Sequence, residues 1–131
     1  MNNVVAHFKD GRILKGTSLA VDPSKPGFPL RPKTGKAVDV SFKDLKALFF
    51  VRSFEGDAAH NDSSEPAPGD PRTKGSTLVK LEFDDGEVLT GLVNAYPPIK
   101  QFFYMNPADY SSNNIRILVN RGAVRSMDVV S

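Results

Sequence analysis

The segment Phe8-Lys9-Asp10-Gly11-Arg12-Ile13-Leu14-Lys15-Gly16 returns 75 positions later as Phe83-Asp84-Asp85-Gly86-Glu87-Val88-Leu89-Thr90-Gly91. At the same spacing Val4 matches Val79, Ala20 matches Ala95, Pro23 matches Pro98, Lys25 matches Lys100, Phe28 matches Phe103 and Pro32 matches Pro107. Eleven ungapped identities between positions 4 and 32 point to an internal duplication. A duplication restricts the fold to something a unit of about fifty residues can adopt twice. Further on the spacing grows to 79, pairing Val40 with Val119, Lys46 with Arg125 and Val51 with Val130. The second copy therefore holds four extra residues within Asn106 to Asn114. The 131 residues divide into copy one (1–52), a linker (53–76) and copy two (77–131).

Within a copy the hydrophobic period is two. Val79, Leu81 and Phe83 alternate with Lys80 and Glu82, as in a half-buried strand. Asp10-Gly11 and Asp85-Gly86 then predict hairpin turns of type I′. Gly16 and Gly91 fall inside the second strand, where glycine marks a sharp bend or bulge. Phe28 to Leu30 or Gln101 to Met105 gives a third strand. Val38, Val40 and Phe42, or Ile115, Ile117 and Val119, give a fourth. After a tight turn, Leu48 to Val51 or Met127 to Val130 gives a fifth. Ten Gly and ten Pro fit such a turn-rich β chain. The expected fold is all-β: two tandem five-stranded small barrels, SH3-like or Sm-like, packed together. A barrel this small is marginal alone. Ile13, Leu19, Val21, Phe49, Val88 and Leu92 all fall on its outer face, so the copies should cover some of them, and a homodimer could cover the rest.

The frame Phe8-x-Asp10-Gly11-Arg12-x-Leu14-x-Gly16, with Asp22 following, resembles the first Sm motif. Asn120-Arg121-Gly122-Ala123-Val124 is similar to the second. The whole pattern, including Asp44-Leu45-Lys46-Ala47-Leu48-Phe49-Phe50-Val51-Arg52-Ser53-Phe54, also resembles a family of uncharacterised bacterial proteins. The Sm resemblance implies RNA binding where base-contacting positions match. Here Pro26 and Gly27 occupy the neighbourhood of the Sm asparagine, Pro97 stands in place of the aspartate in copy two, and Lys43-Asp44 replaces Arg-Gly in copy one. The resemblance therefore speaks for the fold more than for RNA.

Chemistry is sparse. With no Cys there is no disulfide framework and no thiolate metal site, and two His cannot build a three-histidine centre. His7 is read as an outward, solvated position. His60 lies in the acidic linker, and Asp57, His60, Asp62 and Glu65 lack the glycine-punctuated spacing of a calcium loop, so they too read as solvated. Asp10 and Asp85 are turn residues rather than catalytic acids. No Walker-type loop or dinucleotide fingerprint occurs. No catalytic residue, metal ligand or cofactor is expected. The absent thiols, the absence of any apolar run of membrane length and the lack of a signal-peptide pattern at Met1 to His7 predict a cytoplasmic protein off the membrane.

The net charge of +2 is too small for a chain that coats nucleic acid. It averages a basic first copy against an acidic linker. Arg12, Lys15, Arg31, Lys33 and Lys36 in copy one, with Arg121 and Arg125 in copy two, are the candidate binding residues. The expected function is a non-enzymatic binding or regulatory module for a protein partner. The alternatives are an Sm-like nucleic-acid binder and a sensor of an anionic small molecule or nucleotide.

Overall fold

The computed structural model describes residues 1–56 and 59–130. The fold is all-β. Among the described residues ten strands run β1 (Asn2–Phe8), β2 (Ile13–Ser18), β3 (Gly27–Leu30), β4 (Val38–Ser41), β5 (Leu45–Val51), β6 (Thr77–Phe83), β7 (Val88–Val93), β8 (Phe102–Pro107), β9 (Asn114–Asn120) and β10 (Val124–Val129). Single 3₁₀ turns at Phe42–Asp44 and Arg121–Ala123 lead into β5 and β10. Among the described residues no helix is long and apolar enough to cross a membrane.

The hairpin turns differ in type from expectation. In each, the N–H of the glycine bonds the carbonyl three residues back, Gly11 to Phe8 and Gly86 to Phe83, while Phe8 and Phe83 N–H reach Arg12 and Glu87. Gly11 and Gly86 both have φ of +93°, and no described non-glycine residue has positive φ. This is a type I turn closed by a left-handed glycine, not type I′, because Asp10 and Asp85 stay at negative φ. The aspartates act locally instead: their carboxylates accept from the N–H of Arg12 and of Glu87.

Strand pairing does not produce two separate closed barrels. Eight strands form one antiparallel sheet in the order β10-β6-β7-β8-β9-β5-β1-β2, and β3–β4 form a separate ribbon. The ribbon joins β2 through one bridge, in which Thr17 and Arg31 exchange N–H···O=C bonds of 2.9 and 2.8 Å. The β5–β9 ladder, from Ala47 opposite Val119 to Val51 opposite Asn114, makes the halves one sheet. A free rim on either strand would leave a row of unsatisfied backbone groups, and pairing removes both rims at once.

That ladder also covers one of the outward apolar residues, Phe49. All seven residues of β5 are buried. Alternate side chains serve two different cores, as the period of two requires. Leu48 and Phe50 join Val4, Ala6, Phe8, Phe28, Leu30, Val40 and Phe42, with Leu118 of β9 added from the second half. Ala47, Phe49 and Val51 point the other way, into a core of Val79, Leu81, Phe83, Val93, Phe103, Met105, Ile117 and Val119. Phe49, an outer residue of copy one by sequence, is thus an inner residue of the second core. Leu92 is buried as well, and Val21 is half-buried against the first core, whereas Ile13, Leu19 and Val88 remain exposed.

Gly16 and Gly91 stand where another backbone crosses at close range, rather than at a bulge. A Cβ on Gly16 would lie 2.4 Å from the Arg31 carbonyl oxygen, and one on Gly91 2.5 Å from that of Asn106. The second and third strands of each half meet there, through Thr17–Arg31 and Leu92–Asn106.

Candidate functional site

The seven basic candidates do not share one strand or loop. Arg12 is held in its own turn by Asp10 at 2.8 Å and lies 4.6 Å from the Phe8 ring centre. Lys15 is on β2, Arg31 follows β3, and Lys33 and Lys36 are exposed in the β3–β4 turn. Arg121 donates to the Pro98 and Ile99 carbonyls at 3.1 and 3.2 Å. Arg125, on β10, donates to the Asp84 carbonyl and lies 3.5 Å from Glu82. Lys15 and Arg125 therefore sit on strands at opposite ends of the sheet order.

The structure gathers charge elsewhere. Lys46 of β5 is only 8% exposed and reaches across to the β6–β7 turn, where it pairs with Asp85 at 2.7 Å and with Glu87. Its ammonium also stands 4.7 Å from the Phe83 ring centre. Burial opposes its charge, but the hydrogen bonds to Asp85 and Glu87 outweigh burial and hold its pKa above the ordinary lysine value. The same bond from Lys46, with the Glu87 N–H, holds the Asp85 carboxyl below its usual range. His7 is half-buried beside this group, not solvated, with its ring 4.5 Å from that of Phe49. Burial lowers its pKa, helped by Lys46 and opposed by Glu87 and Asp85.

The linker is tied down by residues 107–113, at the end of β8 and before β9. Just before it, Arg52 donates from its N–H to the Asn113 carbonyl at 2.9 Å and from Nε to the Ser112 carbonyl at 3.1 Å. Ser53 and the Asn113 amide exchange two bonds, of 3.1 and 2.9 Å. Towards its end, Asp70 caps a 3₁₀ turn (Pro71–Thr73), and Arg72 donates to the Pro107 and Ala108 carbonyls at 2.9 and 3.0 Å. Between these anchors His60 Nε2 lies 2.9 Å from Asp109 Oδ2 and 3.4 Å from Asp62 Oδ1. Asp109 also accepts from the N–H groups of Ser63 and Ser111, and these two bonds, ahead of the one to His60, hold its pKa low. His60 and Asp62 thus face a partner the sequence reading did not pair with them, because Asp109 lies 49 positions further along the chain, between β8 and β9. Glu65 is not in the group, and Asp57 lies outside the described residues. An open polar cleft of about 670 Å³ adjoins, lined by Arg52, Glu55, His60, Asp62, Ser112 and Asn113 among others.

Two further features lie on other surfaces. One is a largely apolar groove of about 410 Å³ between Pro23 of the first half and Val93, Ile99, Phe102 and Tyr104 of the second. Ile99 is 85% exposed at its lip. The other is the outer rim of β10, which among the described residues pairs only with β6. Val130 donates its N–H to the Leu78 carbonyl, so by alternation the N–H and C=O groups of Met127 and Val129 face outward. The Tyr96 hydroxyl reaches the Met127 carbonyl at 3.4 Å.

No curated protein and no solved structure matches the chain. Its membership is at the level of a family alone: across residues 1–131 the chain belongs to DUF6982, a family of unknown function.

Proposed function

We propose that this chain is a non-enzymatic binding module that recognises a protein partner, built by duplicating one small SH3-like or Sm-like unit and joining the copies head to tail. Three correspondences support the duplicated unit. The glycine-closed hairpin recurs at Gly11 and Gly86. The 3₁₀ turn recurs before β5 and β10. The crossing of second and third strands recurs at Thr17–Arg31 and Leu92–Asn106.

The observation that carries the binding role is the unequal fate of β5 and β10. They are corresponding strands, since Val51 matches Val130 in sequence. The rim of β5 is filled by β9, and that of β10 is open. The partner contributes an extended segment that adds to β10 as β9 adds to β5, its backbone satisfied by Val129 and by Met127, whose carbonyl the Tyr96 hydroxyl gives up on binding. The basic side chains that would favour nucleic acid are divided between the two ends of the sheet order, which favours a protein ligand over an RNA. Val129→Pro removes an outward N–H and leaves the β6 ladder intact. Affinity capture from a cell extract, with the captured proteins identified by mass spectrometry, is expected to lose its specific partner in Val129→Pro while melting stays near wild type. Capture of the same proteins by both forms sinks the edge-recognition reading.

A further inference from the structure

We propose that His60, Asp62 and Asp109 form a binding site for a divalent transition-metal cation that clips the linker to the second half of the molecule. The three donor atoms, one nitrogen and two carboxylate oxygens, all lie within 4.8 Å of one another. The two separations from His60 Nε2 are 2.9 and 3.4 Å. Ligand bonds of about 2.0–2.1 Å in a tetrahedral site place neighbouring donors roughly 3.3 Å apart. The two separations from His60 are thus within about half an ångström of that spacing, and the two carboxylates, within 4.8 Å of each other, close on the ion by rotating their side chains.

Charge and hydrogen bonding agree with that geometry. Two carboxylates and a neutral imidazole balance a dication. Without an ion, the one Nε2 atom of His60 faces two carboxylates, and a single N–H there can serve only one of them well. An ion satisfies all three donors together. Asp109 is already aimed, because the Ser63 and Ser111 N–H groups fix its carboxylate, as outer partners do in metal sites. The group adjoins the polar cleft beside Glu55, which leaves a coordination position for water or a further ligand. The imidazole selects the metal class: nitrogen donors suit zinc and its transition-series neighbours, whereas magnesium and calcium prefer oxygen alone.

The consequence is mechanical. Two ligands come from the linker and the third from the insertion after β8, so binding closes a loop across 49 positions of sequence. A cation that binds only the folded arrangement adds to its stability in proportion to ln(1 + concentration/Kd).

The test is titration calorimetry of the full chain, stripped with chelator, against ZnCl₂, MgCl₂ and CaCl₂ separately. One zinc per chain is expected, with no saturable binding of magnesium or calcium. His60→Ala and Asp109→Asn should each weaken zinc by more than about tenfold, while His7→Ala leaves it unchanged. A second reading uses Co²⁺ on the wild-type protein, whose visible absorption reports a nitrogen–oxygen tetrahedral site without any variant. Zinc affinity equal in wild type and His60→Ala overturns the proposal, as does a cobalt spectrum no different from the aqueous ion.

Discussion

Lys46 and Asp85 are 39 positions apart in sequence and 2.7 Å apart in space, one on β5 of the first half and the other at the β6–β7 turn of the second. The pair is a bond between halves at the position where copy two carries Arg125 instead. Asp85 is more than half exposed, so solvent screens its share of the interaction. Lys46→Met should therefore cost about 1–2 kcal/mol, read from urea denaturation at neutral pH.

The same group sets a pH window. The raised pKa of Lys46 contributes stability that is present below the unfolded lysine value and is lost as pH rises through the folded one. The lowered pKa of Asp85 contributes stability present above the unfolded aspartate value and lost as pH falls through the folded one. Melting temperature measured against pH should fall at both extremes in wild type. In Lys46→Met the alkaline fall should be shallower.

His7 gives a separate signature at milder acidity. Its pKa is lowered from 6.5, so the unfolded chain takes up its proton first. Stability from this group is full above 6.5 and declines as pH drops below it. Histidine ring resonances followed by NMR should show His7 titrating below 6.5, and His7→Phe, which keeps a ring against Phe49, should remove that part of the acid limb.

Because β5 serves both cores, the halves should unfold together. Phe49→Ala, in the second core, and Leu48→Ala, in the first, should each cost about 3–5 kcal/mol. Both should lower one shared calorimetric transition. Two resolved transitions, with only one displaced by Phe49→Ala, would show instead that the halves melt independently.

The glycines divide by cause. Gly91→Ala places a methyl 2.5 Å from the Asn106 carbonyl oxygen, and should cost about 3 kcal/mol as the strands are forced apart. Gly86→Asn meets no atom within 4 Å and strains only its φ, so its cost should stay near about 1 kcal/mol. Chemical denaturation of the two variants measures the difference.

Strand positions and turn positions were legible because each is written locally. Alternation of Val79, Leu81 and Phe83 needs no neighbour to be read, and Asp-Gly at 10–11 and 85–86 names its turn even though the turn proved to be type I with a left-handed glycine. His7 and His60 were misread for the opposite reason. Their surroundings come from Phe49 and Asp109, which chain order places far from them. The sequence offered His60 and Asp62 as part of a loose acidic group but gave no sign of the third donor, Asp109, which lies 49 positions from His60 in chain order.

By itself the sequence determined a β chain with one strand pattern used twice, an acidic stretch between the uses, and no thiol chemistry. The tertiary structure alone decided that the halves share a sheet, that Phe49 belongs to the far core, and that the linker docks on the insertion. The physical reason is that a period of two assigns each side chain to a face but does not say what covers that face. That depends on which backbone rim finds a partner, and here the β5 rim found β9 while the β10 rim stayed open.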